Sequence, residues 1–216
     1  MTLKKILKLC LMISLLIFLS GCVSEKIATD KEHEETGTSE SQTISKKHSD
    51  IIEHGYNLGD YHFYIMEFQK KNQTASTSLL QNFDTTIINN FNNYKDRISQ
   101  NKKIEVLPFG IQYNLSEETV TINYFLINNF NKDIHSIHIT GTPKFKTIEN
   151  VLPLDIALSE NELGLLPYKG IVAFPMNISA PIEYEPKLRD IKVADLSFDI
   201  TDLEINGEKV DNNNEN

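Results

Sequence analysis

Histidines, carboxylates and a thiol are the side chains of this chain that could do chemistry, and their spacing limits what they can do. His135 and His138 lie three apart in IHSIHIT (134–140), a run that reads as a short strand. Side chains three apart on a strand point to opposite faces, so this pair cannot share a metal ion without a bulge. His135 falls on the face of Ile137 and Ile139 and is expected half-buried. His54 and His62 flank the first apolar run, while His33 and His48 sit in a polar stretch where KEHEE (31–35) reads as a solvated charge run rather than a chelate. Carboxylates such as Glu183 and Glu185 are plentiful, but nothing marks a pair held at a working distance. No GxxxxGK[ST] phosphate loop, GxSxG elbow, HExxH helix or DxDxDG calcium loop occurs. The sequence therefore predicts no catalytic residue, no metal ligand set and no cofactor, and a protein that is not an enzyme.

The thiols are more telling. The chain opens on a basic segment with Lys4 and Lys5, continues through an apolar run from Leu9 to Leu19, and reaches Ser20-Gly21-Cys22. That order is the pattern of a secretory signal. Lys8 limits the uninterrupted apolar run to about a dozen residues, short of the roughly 20 that a membrane span needs. Leu19-Ser20-Gly21-Cys22 resembles the lipobox of bacterial lipoproteins. The resemblance implies cleavage between Gly21 and Cys22 and a diacylglycerol joined to the Cys22 sulfur by a thioether. Cys10 leaves with the signal, so Cys22 is the single thiol of the processed chain and no internal disulfide can form. Two acyl chains give stable anchoring where one does not. The expected location is the outer face of the cytoplasmic membrane.

Loss of Lys4, Lys5 and Lys8 with the signal takes the formal charge from -9 to -12. An excess of acid on this scale excludes nucleic acid, whose binding replaces phosphate counterions with Lys and Arg. It also excludes a basic patch for anionic lipids or wall polymers. Richness in Asn, Ile and Lys, with no Trp, suggests an AT-rich genome and a Gram-positive source. Residues 22–50, polar and without an aromatic side chain, read as a disordered tether, with a reach on the order of 30 Å. The tail 211–216, DNNNEN, reads the same way.

Between them, residues 51–210 fit one domain by length. DYHFYIMEF (60–68) predicts a strand apolar on both faces. From Ser78, with Gln81 as its capping partner, Leu79, Phe83, Ile87, Phe91, Tyr94 and Ile98 recur at helical spacing. Past Lys103 the texture is strands and turns. In ETVTINYFLIN, Val120, Ile122, Tyr124 and Leu126 alternate with Thr119, Thr121, Asn123 and Phe125. Pro153 and Pro175, inside strand-like runs, imply edges or bulges. The expectation is a mainly β fold, an antiparallel sandwich (104–210) with an N-terminal helix and one or two extra strands contributed by 51–103.

Asn128-Asn129, Glu162-Leu163-Gly164, Phe174-Pro175 and Leu196-Ser197-Phe198, in that order over 104–205, resemble the immunoglobulin-like SLAP-type domains of Gram-positive cell envelopes. Ile171-Val172 stands where that family tends to carry an aromatic residue. The resemblance implies an immunoglobulin-like sandwich and a non-catalytic envelope module whose partner is an envelope protein or polymer. An alternative is a lipoprotein that captures a ligand or ion for sensing or delivery. LGLLPYKG (163–170) is the most apolar stretch in any predicted loop, so Leu163, Leu165, Leu166 and Tyr168 must either bury themselves or dock a partner.

Overall fold

The computed structural model describes residues 46–148 and 151–214. The expected signal (1–21), the lipidated Cys22, the tether as far as residue 45 and the last two residues of the tail lie outside the described residues. A helix α1 (Lys46–His54) leads into a hairpin of β1 (Tyr56–Leu58) and β2 (Tyr61–Phe63). Gly59 turns that hairpin at φ +78°, a left-handed conformation open to glycine without penalty. A helical layer follows: α2 (Glu67–Lys71), α3 (Gln73–Gln81), one π turn (Asp84–Ile88) and α4 (Asn89–Tyr94). The remainder is β3 (Ile104–Asn114), β4 (Thr119–Asn128), β5 (Ile137–Phe145), β6 (Leu154–Leu158), a single-turn α5 (Glu160–Leu163), β7 (Gly170–Ser179), α6 (Glu185–Arg189), β8 (Leu196–Ile205) and β9 (Glu208–Lys209).

The fold is mainly β, with two sheets ordered β1-β2-β7-β4-β3 and β6-β5-β8-β9. Among the described residues, every strand pairing is antiparallel except β2 with β7. The alternation in β4 decides what covers each face. Val120, Ile122, Tyr124 and Leu126 enter one apolar cluster with Ile139, Phe198, Leu203 and Ile205 of the second sheet. Phe125 and Ile127, on the opposite face, enter another with Leu80, Phe83, Ile87 and Phe91 of the helical layer. The five-stranded sheet is thus covered on both faces.

Residues 51–103 belong to this arrangement rather than beside it. β1 and β2 extend the five-stranded sheet, and Arg97 donates to the carbonyls of Val193 and Leu196 at the start of β8. The expected long strand at 60–68 is cut to Tyr61–Phe63 because Glu67 starts α2, with the Gln69 carboxamide accepting from the Met66 N–H at 3.1 Å. The helix starts earlier than Ser78: Asn72 caps α3, its Oδ1 accepting from Ala75 N. Residues 46–50, expected in the tether, open α1.

The tail is ordered over 211–214, contrary to expectation. Asn212 Oδ1 accepts from Ile104 N at 2.8 Å and its Nδ2 donates to Ile104 O at 3.1 Å, pairing with the edge of β3 as a strand would. Asn214 Nδ2 donates to the carbonyls of Gln100 and Lys102. Compositional bias towards Asn suggested disorder, but carboxamides also cap exposed strand edges. The prolines fall as expected. Pro153 precedes the edge strand β6. Pro175 lies where β7 has outrun the short β2, so its missing N–H faces an open edge.

Glu105 of β3 is 7% exposed, and its Oε2 finds no hydrogen-bond partner among the described residues. Burial pushes its carboxyl above the usual range, opposed chiefly by Lys102, whose Nζ is 3.5 Å from Oε1. A carboxyl raised in the folded state costs nothing below its unfolded value near 4.5 and destabilises increasingly as pH rises through the folded value. Glu105→Gln is therefore expected to stabilise the fold by about 1 kcal/mol at neutral pH, with the gain shrinking as pH falls towards 4.5. Thermal melts of both proteins at the two pH values check this. An equal gain at both would mean that the charge is not the cause.

Candidate functional site

The helical layer does not cover the whole of the sheet it packs on. Between α3 and the far halves of β3, β4 and β7 a cleft of about 290 Å³ remains. A β-bulge shapes its floor. The pairing of β3 with β4 passes from Pro108↔Tyr124 to Gly110↔Asn123, leaving Phe109 as the extra residue. A bulge reverses which side chains of a strand face which way. Before it, Leu107 and Phe109 face the helices, whereas after it Ile111 and Tyr113 pack towards the second sheet. Gly110 and Gln112 consequently turn to the cleft side. A Cβ at Gly110 would lie 2.9 Å from Asn123 Nδ2, so glycine there leaves the room in which the Asn123 carboxamide lies.

On the helical side the cleft is lined by Phe68, Thr74, Ser78, Leu79 and Asn82, and by Thr86 from the π turn; π turns recur at functional sites. On the sheet side stand Phe109, Gln112, Asn123, Phe174 and Pro175. Two further carboxamides are committed to the scaffold. Gln69 Nε2 donates to Ala173 O at 3.0 Å, and Asn72 caps α3. By contrast, the side chains of Ser78, Asn82, Thr86, Gln112 and Asn123 have no hydrogen-bond partner among the described residues. No residue of the lining carries a charge. Without a carboxylate, imidazole or thiol, what these walls offer is neutral hydrogen bonding around an apolar floor.

The sequence-predicted candidates lie elsewhere. In the 163–170 stretch, Leu163 and Leu166 are buried in the core between the sheets, and Leu166 pairs with Ile134 through backbone hydrogen bonds. Leu165 and Tyr168 are each 49% exposed. The stretch therefore divides, two residues inward and two outward. Beside it, Lys169 Nζ donates to Gln100 Oε1 at 2.7 Å and to Asn129 Oδ1 and Tyr61 Oη at 3.2 Å, tying β7 to the β2 and β4 ends. Asn128, at the expected turn, is buried and folds it, with Oδ1 accepting from Phe130 N and Nδ2 donating to Lys132 O.

His135 lies just before β5 and is exposed, not half-buried, because the strand begins at Ile137. His138 faces outward, 3.8 Å from Asp155. His62 Nε2 meets the His54 backbone carbonyl at 2.8 Å rather than its ring. Glu185 accepts from Arg189 Nε at 2.8 Å. Among the described residues no three His, Cys, Asp or Glu side chains converge on one point. No protein-family model, curated protein or solved structure matches the chain.

Sequence reasoning did not find the cleft, although part of its signal was present. Thr121 and Asn123 are polar members of the same β4 face that carries Phe125. A strand face that changes from apolar to polar midway marks where its cover ends. The bulge had no comparable signal.

The division of the 163–170 stretch is testable by urea unfolding. Leu166→Ala is expected to cost about 2–5 kcal/mol. Tyr168→Ser should change stability by no more than about 1 kcal/mol. Equal losses from the two would contradict the placement.

Proposed function

We propose that this protein is an exported lipoprotein, held at the outer face of the cytoplasmic membrane by a diacylglycerol on Cys22, and that it serves the cell envelope as a non-catalytic binding module. The lipobox-like Leu19-Ser20-Gly21-Cys22 supports the anchor. Two sheets sharing one apolar cluster support reading the body as an immunoglobulin-like β-sandwich, extended by the β1–β2 hairpin and backed by helices. On this reading the sandwich is a rigid platform, and the partner is an envelope protein or polymer.

The observation that carries the binding role is the cleft: an uncharged concavity where polar side chains without a partner among the described residues stand around an apolar floor. Binding sites commonly take that form, a mostly apolar cavity with a few placed polar groups. The cleft opens beside the unpaired edge of β7, a position that an extended partner can reach. Its volume, at the lower end of the range for small-molecule sites, favours as a second reading the capture of a free small ligand for sensing or delivery.

The test uses the full chain expressed in cells. Cys22→Ala should leave the membrane fraction for the medium, or remain unprocessed; a mature N-terminus beyond residue 22 with no lipid would contradict the anchor. A photo-crosslinking residue at Thr74, on the exposed rim, should give a discrete adduct that the same residue at His138, on the outer face of the second sheet, does not. Equal adducts from both positions, or none from Thr74, would contradict a binding role for the cleft.

A further inference from the structure

We infer that the cleft is a subsite for a neutral, polyhydroxylated ligand, a saccharide segment. This deepens the binding role proposed above and rests on it.

An added peptide strand is poorly served where the edge of β7 passes the cleft. Along β7 the odd-numbered residues face away from β4: Ile171 O accepts from Tyr64 N, and just before the strand Lys169 O accepts from His62 N. The next two rungs are closed. Ala173 O is taken by the Gln69 carboxamide, and Pro175 has no N–H to give. Strand addition needs consecutive free donors and acceptors along the edge, and here it would meet an acceptor already shared with Gln69 and then a missing donor. Side chains are therefore the better-placed means of recognition here.

The side chains available match a sugar. A carboxamide presents one acceptor and two donors in a plane, and a hydroxyl presents both functions. Asn82, Gln112 and Asn123, with Ser78 and Thr86, surround the floor with groups of both kinds that no other described residue engages. Sugar hydroxyls, each donor and acceptor, satisfy such a set. Phe68, which is partly exposed, offers a ring against which the C–H face of a sugar can lie. A charged ligand would find no counter-charge in this lining, and an anion would also meet a chain of formal charge -9. The site is also built: the bulge at Phe109 and the bare Cα of Gly110 make room for Asn123.

The experiment follows side-chain amide resonances of the isotope-labelled full-length chain, titrated with soluble oligosaccharides of glucose and of N-acetylglucosamine. Saturable shifts at Asn82, Gln112 and Asn123 with at least one of the two are expected. Asn123→Leu and Gln112→Leu should each weaken that binding about tenfold, the value of one neutral hydrogen bond, without lowering the thermal midpoint. His138→Ala should leave it unchanged. No shift with either saccharide at millimolar concentration overturns the assignment, as do shifts that persist at full strength in both leucine variants. A neutral extended peptide that instead moves the backbone amides of Asn177 and Ser179 overturns it in favour of strand addition. Loss of the Thr74 crosslink ends the binding role itself, whereas silent saccharides with that crosslink intact end only this inference.

Discussion

Two adjacent aromatic residues in β4, Tyr124 and Phe125, impose the condition that the rest of the chain meets. Neighbours on a strand point to opposite faces, and both side chains are fully buried. Tyr124 packs edge-on against Phe198 of the second sheet, with ring centroids 5.6 Å apart, and beside Phe174. Phe125 stacks on Phe109 at 4.0 Å and meets Phe91 of the helical layer edge-on. A strand that is apolar on both faces needs cover on both. One cover is the β5–β8 sheet and the other is the helical run from 73 to 94. Burial also pushes the Tyr124 phenol well above its usual range.

The cleft follows from the same condition relaxed. Towards its N-terminus β4 keeps Val120 and Ile122 on the second-sheet face but carries Thr121 and Asn123 on the other, where no apolar cover is required. The helices stand off from the sheet there and line the cleft instead of filling it. The bulge in β3 keeps the two strands in step across this boundary, sending Ile111 and Tyr113 to the core while Gln112 turns outward. Without it the alternation of β3 would place apolar side chains in the cleft. Architecture and candidate site are thus two consequences of one change in polarity along β4.

Much of this was legible in the amino-acid order, and the failures have physical causes. The β4 alternation and the apolar period through Phe83, Ile87 and Phe91 were readable because each is the imprint of one burial face. The helix start was not, since Asn72 competes with Ser78 as a cap and only packing selects between them. DYHFYIMEF looked like one long strand because aromatic and apolar residues dominate it. The strand nevertheless ends at Phe63, and Met66 serves the opposite cluster from Phe63. In LGLLPYKG composition could not separate Leu166, which is held inward by its pairing with Ile134, from the exposed Tyr168. The Asn-rich tail misled for a related reason: a polar side chain that caps a strand edge has the same composition as one in solvent. The anchor rests on the N-terminal residues alone.

If both covers are required by β4, the helical layer and the sheets form one cooperative unit, and native-state hydrogen exchange measures this directly. In increasing denaturant, the amides of Tyr124 to Ile127 in β4, of Ile139 and Leu203 in the second sheet, and of Ile87 and Phe91 in the helical layer should merge into a single opening with one free energy. A helical layer that opens at distinctly lower free energy, while β4 keeps its full protection, would contradict the account. It would mean that the sheets hold Phe125 in place without the helices that cover it.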